Sequence, residues 1–302
     1  MPTRRADPRD DPPKETLEAP SGSARRFPLG LDRLPRQATT SAAARGNVPA
    51  GGLLRPQGPL QHAATDAARR NAPAGLGLDS ASVRTRMVQR LRAQGGYAEP
   101  VLLALAQVPR HAFVDSALAG QAYEDTSLPI GLGQTISKPS VVARMISLLF
   151  DTPAVRKRGH LGRVLEIGSG CGYQAVVLMA LSRSVVSIER LQPLHERARR
   201  HLDALPFEQV RELRLLHGDG RLGHAPRAPY DAIVAAAGGE SVPEAWLTQL
   251  AEGGRLVAPM HDPAHGGPAG GQTLLVVDRR PDGLHRTWHD PVHFVPLKSG
   301  LG

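Results

Sequence analysis

Arg163-Val-Leu-Glu-Ile167 runs directly into Gly168-Ser-Gly-Cys-Gly172 and then into Tyr173-Gln-Ala-Val-Val-Leu-Met-Ala180. A short apolar strand, a glycine turn and an apolar helix, in that order, describe the first unit of an open α/β sheet, whose ligands bind at the carboxyl ends of the strands. Glycine at the turn lets the backbone approach such a ligand. The spacing Gly168, Gly170, Gly172, with Glu166 two residues before the first, differs from the G-x-G-x-x-G turn that cradles a dinucleotide pyrophosphate.

Downstream the alternation continues. Strands are expected at Ser184 to Ile188, Leu213 to His217, Tyr230 to Ala235 and Gly254 to Ala258, with helices at Pro193 to Leu205 and Pro243 to Leu250 between them. This pattern specifies a doubly wound, mostly parallel, Rossmann-like sheet with helices on both faces. Gln272 to Asp278 and Asp290 to Val295 follow without a long helix, which predicts an antiparallel C-terminal edge. Glu189 closes the second strand about 20 residues beyond the glycine turn, where a carboxylate can accept from ribose hydroxyls. The alternative is an ordinary solvated strand-end acid. Asp219-Gly220 closes the third strand, offering an acceptor for an exocyclic amine and room for a ring. The alternative there is a plain Asp-Gly turn.

Upstream, helical periodicity begins near Ser82 with Val83, Met87 and Leu91 and stops at Gly95-Gly96; a second helix is expected at Pro100 to Gln107 and a third at Pro139 to about Leu149. These form a helical cap. The reading therefore divides the chain into an extension over 1–78, a cap and substrate-loop region over 79–150, and a ligand-binding sheet over 151–302. The extension is dominated by Pro, Ala, Gly, Arg and Ser, cannot bury enough apolar surface to offset its ordering entropy, and is expected to be disordered.

The 302 residues are 41% apolar, enough for a sizeable core, and contain no run long enough to span a membrane. The opening residues lack the apolar core of a secretory signal. With Cys171 as the single cysteine, a disulfide within the chain and a four-thiolate metal site are excluded, and the expected address is the cytoplasm. The formal charge of +9 comes almost entirely from Arg scattered among acids, with aromatic residues at only 4%, so nucleic acid is not expected as a partner. The 12 histidines show no metal-binding spacing, and no metal is expected.

One further block is Gly133-Gln-Thr-Ile-Ser137, followed by Pro139. With Val108-Pro-Arg-His-Ala-Phe-Val114, Leu128-Pro-Ile130, Val164-Leu-Glu-Ile-Gly168, Ser187-Ile-Glu-Arg190, Gly218-Asp-Gly220 and Val292-His-Phe-Val-Pro-Leu297, it resembles the protein-L-isoaspartate O-methyltransferase family of class I methyltransferases. The resemblance departs at Cys171, where Ser is usual, and at Lys138, where a smaller or amide residue is usual. It implies methyl transfer from S-adenosylmethionine to the free α-carboxylate of L-isoaspartyl residues in damaged proteins, whose esters close to succinimides and partly reopen as aspartate. It implies Ser137 as catalytic residue and Gln134, Thr135 and Ile136 around the substrate, with Ser137 alternatively serving only as helix cap. Glu166, Gly168, Gly170, Gly172, Glu189, Asp219 and Gly220 are the residues expected to hold the cofactor, and a monomer is expected. A related carboxyl O-methyltransferase acting on a peptide natural product would keep the same motifs, and a non-catalytic cofactor- or nucleic-acid-binding module is the alternative of another kind.

Overall fold

The computed structural model describes residues 81–262 and 271–302; the extension over 1–78 lies outside them. Helices α1 (Ala81–Gln94) and α2 (Glu99–Gln107) lead to a hairpin of β1 (Leu128–Gly131) and β2 (Gln134–Ile136), then to α3 (Pro139–Phe150) and α4 (Pro153–Arg158). From there strands and helices alternate: β3 (Arg163–Ile167), α5 (Tyr173–Met179), β4 (Ser184–Glu189), α6 (Gln192–Asp203), α7 (Phe207–Val210), β5 (Leu213–His217), β6 (Tyr230–Ala235), α8 (Glu244–Gln249), β7 (Leu250–His261), β8 (Gln272–Arg280) and β9 (Gly283–Val292).

The last seven strands form one sheet in the order β5-β4-β3-β6-β7-β8-β9. β5 through β7 are parallel, and β8 and β9 add as antiparallel neighbours. Central strands buried on both faces read as continuous apolar runs. Alternation sorts them: Val164, Ala232 and Val234 face a core shared with α1, α2, α3 and α5, whereas Leu165, Ile167, Ile233 and Ala235 face a second core closed by Trp246 of α8. Glu166 falls on the first of these faces, directly opposite Ser187 of β4.

Three departures from the sequence reading are informative. The last strand was expected at Asp290 to Val295, but β9 runs Gly283–Val292 and pairs with β8 through a tight turn at Pro281-Asp282-Gly283. Its side chains are mostly exposed, so an edge strand of polar residues lacks the apolar signature. The Asp282-Gly283 dipeptide was the available signal. The sequence pattern marks no strand between Leu128 and Ser137, but most of that stretch pairs as the β1–β2 hairpin around Gly131, Leu132 and Gly133, all at positive φ. The helix after it has Lys138, not Ser137, at its N-cap, with no side-chain cap hydrogen bond.

No helix among the described residues is long and apolar enough to cross a membrane.

Candidate functional site

After β3 the chain crosses to β4 and β5 on one side, and β6 starts the other half of the sheet on β3's opposite edge. The crevice outside the carboxyl ends of β3 and β6 is therefore the switch point where such sheets bind ligands. The backbone around it is pinned. Gly168 N donates to Ile188 O at 2.8 Å, Ser169 N to the same oxygen at 3.2 Å, and Ala236 N to Ile167 O at 2.8 Å. Gly172 has a φ of 90° and caps α5; a Cβ there would lie 2.9 Å from Leu202 Cδ1, so both conformation and space call for glycine. At Gly220 a Cβ would meet Ile167 Cγ2 at 2.5 Å.

A cavity of about 600 Å³ opens over this floor. Gly168, Gly170, Gly172's neighbour Tyr173, Glu189 and Gly220 line it from the sheet side, and Gln134, Thr135, Ile136 and Ser137 line it from the β1–β2 hairpin. The structure thus brings the four substrate-side residues to one space with Gly168, Gly170, Glu189 and Gly220, whereas Glu166, Gly172 and Asp219 do not line it. Glu189 is 5% exposed, and its oxygens accept from Gly170 N at 2.9 Å and Leu191 N at 2.9 Å. A carboxylate has about four acceptor positions, so two remain for a pair of vicinal hydroxyls.

The other two acids sit elsewhere. Glu166 is fully buried and is not among the residues lining the cavity. It accepts from the Ser187 hydroxyl, which in turn meets the Ser169 hydroxyl at 2.5 Å. Ser169 does line the cavity, so Glu166 reaches the cofactor loop through two serines. Burial pushes its carboxyl up to about 8, opposed by the neighbouring Ser187 hydroxyl and Gln174 amide. Asp219 also lies off the cavity wall: Oδ1 accepts from Arg221 N at 2.9 Å and Oδ2 from Gly300 N at 2.7 Å. Its carboxylate ties the C-terminal segment down beside Gly220. Cys171 lines the cavity, but burial pushes its thiol up to about 11, which disfavours the thiolate.

Two contributors were not assigned roles from the sequence. Val295, Pro296, Leu297 and Lys298 line the cavity, held by Gly238 N donating to Val295 O and Leu297 N to Gly238 O. The second contributor is Arg110, which is fully buried. Its Nε donates to Ala122 O and its Nη2 to Ser137 O, both at 2.7 Å, while its guanidinium carbon lies 4.9 Å from the centre of the Tyr173 ring. One cation thereby joins the Ser137 backbone to the first residue of α5. Burial lowers its pKa from the usual guanidinium value, yet Arg keeps its proton in proteins. An Arg inside the apolar stretch Val108 to Val114 was the sequence signal.

A cavity of this size fits a nucleoside-containing cofactor, and its walls supply a glycine backbone, a buried acid with open acceptor positions and an apolar rim. Residues 82–302 match the family described as protein-L-isoaspartate(D-aspartate) O-methyltransferase. A Methylibium petroleiphilum protein-L-isoaspartate O-methyltransferase is 57% identical over 285 residues, covering 94% of this chain and 99% of its own length. The Leptothrix cholodnii protein of the same name is 56% identical over 280 residues, covering 91% and 94%. A solved protein-L-isoaspartate O-methyltransferase superposes with a TM-score of 0.61 at 27% identity, covering 72% of this chain and 67% of that one. A Plasmodium falciparum structure described as such an enzyme, in complex with S-adenosyl-L-homocysteine, shares the fold at a TM-score of 0.59 and 23% identity.

Proposed function

The chain belongs to the protein-L-isoaspartate O-methyltransferase family, and on that premise we propose that its large cavity carries out S-adenosylmethionine-dependent methylation of the free α-carboxylate of L-isoaspartyl residues in damaged proteins, initiating their repair. When bound, S-adenosylmethionine supplies an electrophilic methyl group on a good leaving group. A carboxylate with a pKa near ~4 is already ionised at neutral pH, so the protein need not provide a strong general base. Its task is alignment and exclusion of water from the nucleophile.

Each wall has a share in that task. Gly168 and Gly170 bring backbone close to the cofactor while Gly172 caps the helix behind them, Glu189 accepts from its ribose, and Gly220 leaves space for its base. Asp219 acts on the same end by anchoring Gly300, and Glu166 by bracing Ser169 through Ser187. Ser137 orients the substrate carboxylate with its hydroxyl, while Gln134, Thr135 and Ile136 shape the pocket around it. The observation that carries this reading is that Ser137 and Glu189, which lie on different elements far apart in the chain, line one cavity. The scattered arginines and single cysteine support a cytoplasmic enzyme without a nucleic-acid partner.

The test is methylation of an isoaspartyl peptide beside its aspartyl twin. Transfer to the first and not the second is expected; transfer to neither, with cofactor bound, would redirect the reading to another carboxylate.

A further inference from the structure

A second cavity of about 440 Å³ adjoins the first and shares Thr135, Ser137, Ala236 and Val295 with it. A peptide whose reacting carboxylate sits at Ser137 therefore continues into this space. Its walls are largely apolar, from Val141, Pro291, Val292 and Phe294, and among the described residues the only ionisable side chains on them are Lys138 and His293.

Among the described residues no carboxylate forms an ion pair with Lys138. Asp290 pairs with Arg144 at 2.6 Å, and Asp125 Oδ1 accepts from Ser140 N at 2.8 Å. Lys138 is also the N-cap of the 12-residue α3. Helix N-termini carry partial positive charge and favour anions, so a lysine there adds to a positive potential instead of relieving it. Asp125 already serves the helix end through Ser140 N, so an anion in the groove would pair with the lysine alone.

We propose that Lys138 is a specificity-determining residue that favours isoaspartyl substrates carrying an Asp or Glu side chain within two positions of the damaged residue. This rests on the function proposed above. The pair formed would be solvent-facing, so the preference is modest, about three- to fivefold in KM, and salt-sensitive.

The experiment uses the full-length protein and matched isoaspartyl hexapeptides that differ only in Glu, Gln or Lys at one flanking position, scanned over both sides. KM is expected to be lowest for Glu and highest for Lys at one or more positions, with the difference shrinking as salt rises. Lys138→Gln should level the series and Lys138→Glu should invert it, while the S-adenosylhomocysteine Kd stays constant in all three proteins. Equal KM values across the series, or a preference for Glu that survives in Lys138→Glu, would overturn the proposal while leaving isoaspartyl methylation intact. Failure to methylate any peptide despite normal cofactor binding would instead overturn the parent reading, and this one with it.

Discussion

The two walls of the large cavity are built by different means. The sheet wall is the seam of β3, β4 and β6, buried on both faces and stitched by backbone hydrogen bonds that run past the strand ends into the glycine turn. The hairpin wall is two short strands with Leu132 and Thr135 exposed. Leu128, Ile130 and Ile136 pack into the core, and the polar anchors are Arg197 Nη1 donating to Ile130 O at 2.5 Å, Asp125 holding Ser140 N, and Arg110 holding Ser137 O. A wall fixed by the fold core suits a cofactor that never changes. A wall that buries alternate side chains and leaves the others exposed suits substrates that differ in sequence. Substitutions on the two walls should therefore separate substrate chemistry from cofactor binding.

The sharpest separation is expected at Ser137. Removing its hydroxyl in Ser137→Ala should slow single-turnover methylation of an isoaspartyl peptide by about 100-fold or more, because a misplaced near-attack geometry is costly. Cofactor affinity should change less than about threefold. Since Lys138 occupies the N-cap, no capping loss accompanies the change, and the melting temperature should hold. A normal rate would move the catalytic assignment to another hairpin residue.

Glu189→Ala is the mirror experiment on the sheet wall. It removes the expected ribose acceptor and also frees Gly170 N and Leu191 N. The loss should be about 1.5–3 kcal/mol of S-adenosylmethionine binding, the scale of hydrogen bonds to a charged acceptor, read by calorimetry. An unchanged Kd would detach Glu189 from the cofactor.

Arg110 tests whether the walls are coupled. Arg110→Lys keeps the charge but lacks the planar fork that reaches Ala122 O and Ser137 O at once. If the guanidinium positions the Ser137 backbone, kcat should fall by about tenfold with cofactor Kd nearly unchanged. A lowered melting temperature with kcat intact would leave Arg110 a structural residue.

What the sequence disclosed follows the same division. The sheet wall was legible because its strands are apolar throughout and its turns are marked by glycine, so β3, β5 and β6 were bounded correctly from pattern alone. The hairpin's motif is legible as a site but its strands are not, because four- and three-residue strands carry too few alternations to register. β9 was misplaced because an exposed edge strand carries polar residues on both faces. The roles of Glu166 and Asp219 were beyond reach for another reason. Sequence register puts both acids at the sheet's carboxyl edge, but whether a carboxylate faces the cavity or braces a neighbour depends on contacts with Ser187 and Gly300, which lie 21 and 81 residues away.

Glu166 yields the smallest effect at neutral pH and the clearest pH signature. Its pKa is raised from 4.5 to about 8, chiefly by burial. A carboxyl raised in the folded state favours folding relative to its ionised form at low pH, and that advantage is lost as pH climbs from the unfolded value through the folded one. The native protein should therefore lose stability relative to Glu166→Gln between about pH 4.5 and pH 8, and the gap should level off above that. At pH 7 the neutral glutamine resembles the largely protonated acid, so methylation should change less than about threefold. Melting curves of both proteins across this range give the answer. A gap that stays flat with pH would mean that Glu166 is already ionised, and that the Ser187–Ser169 chain is held by a charge.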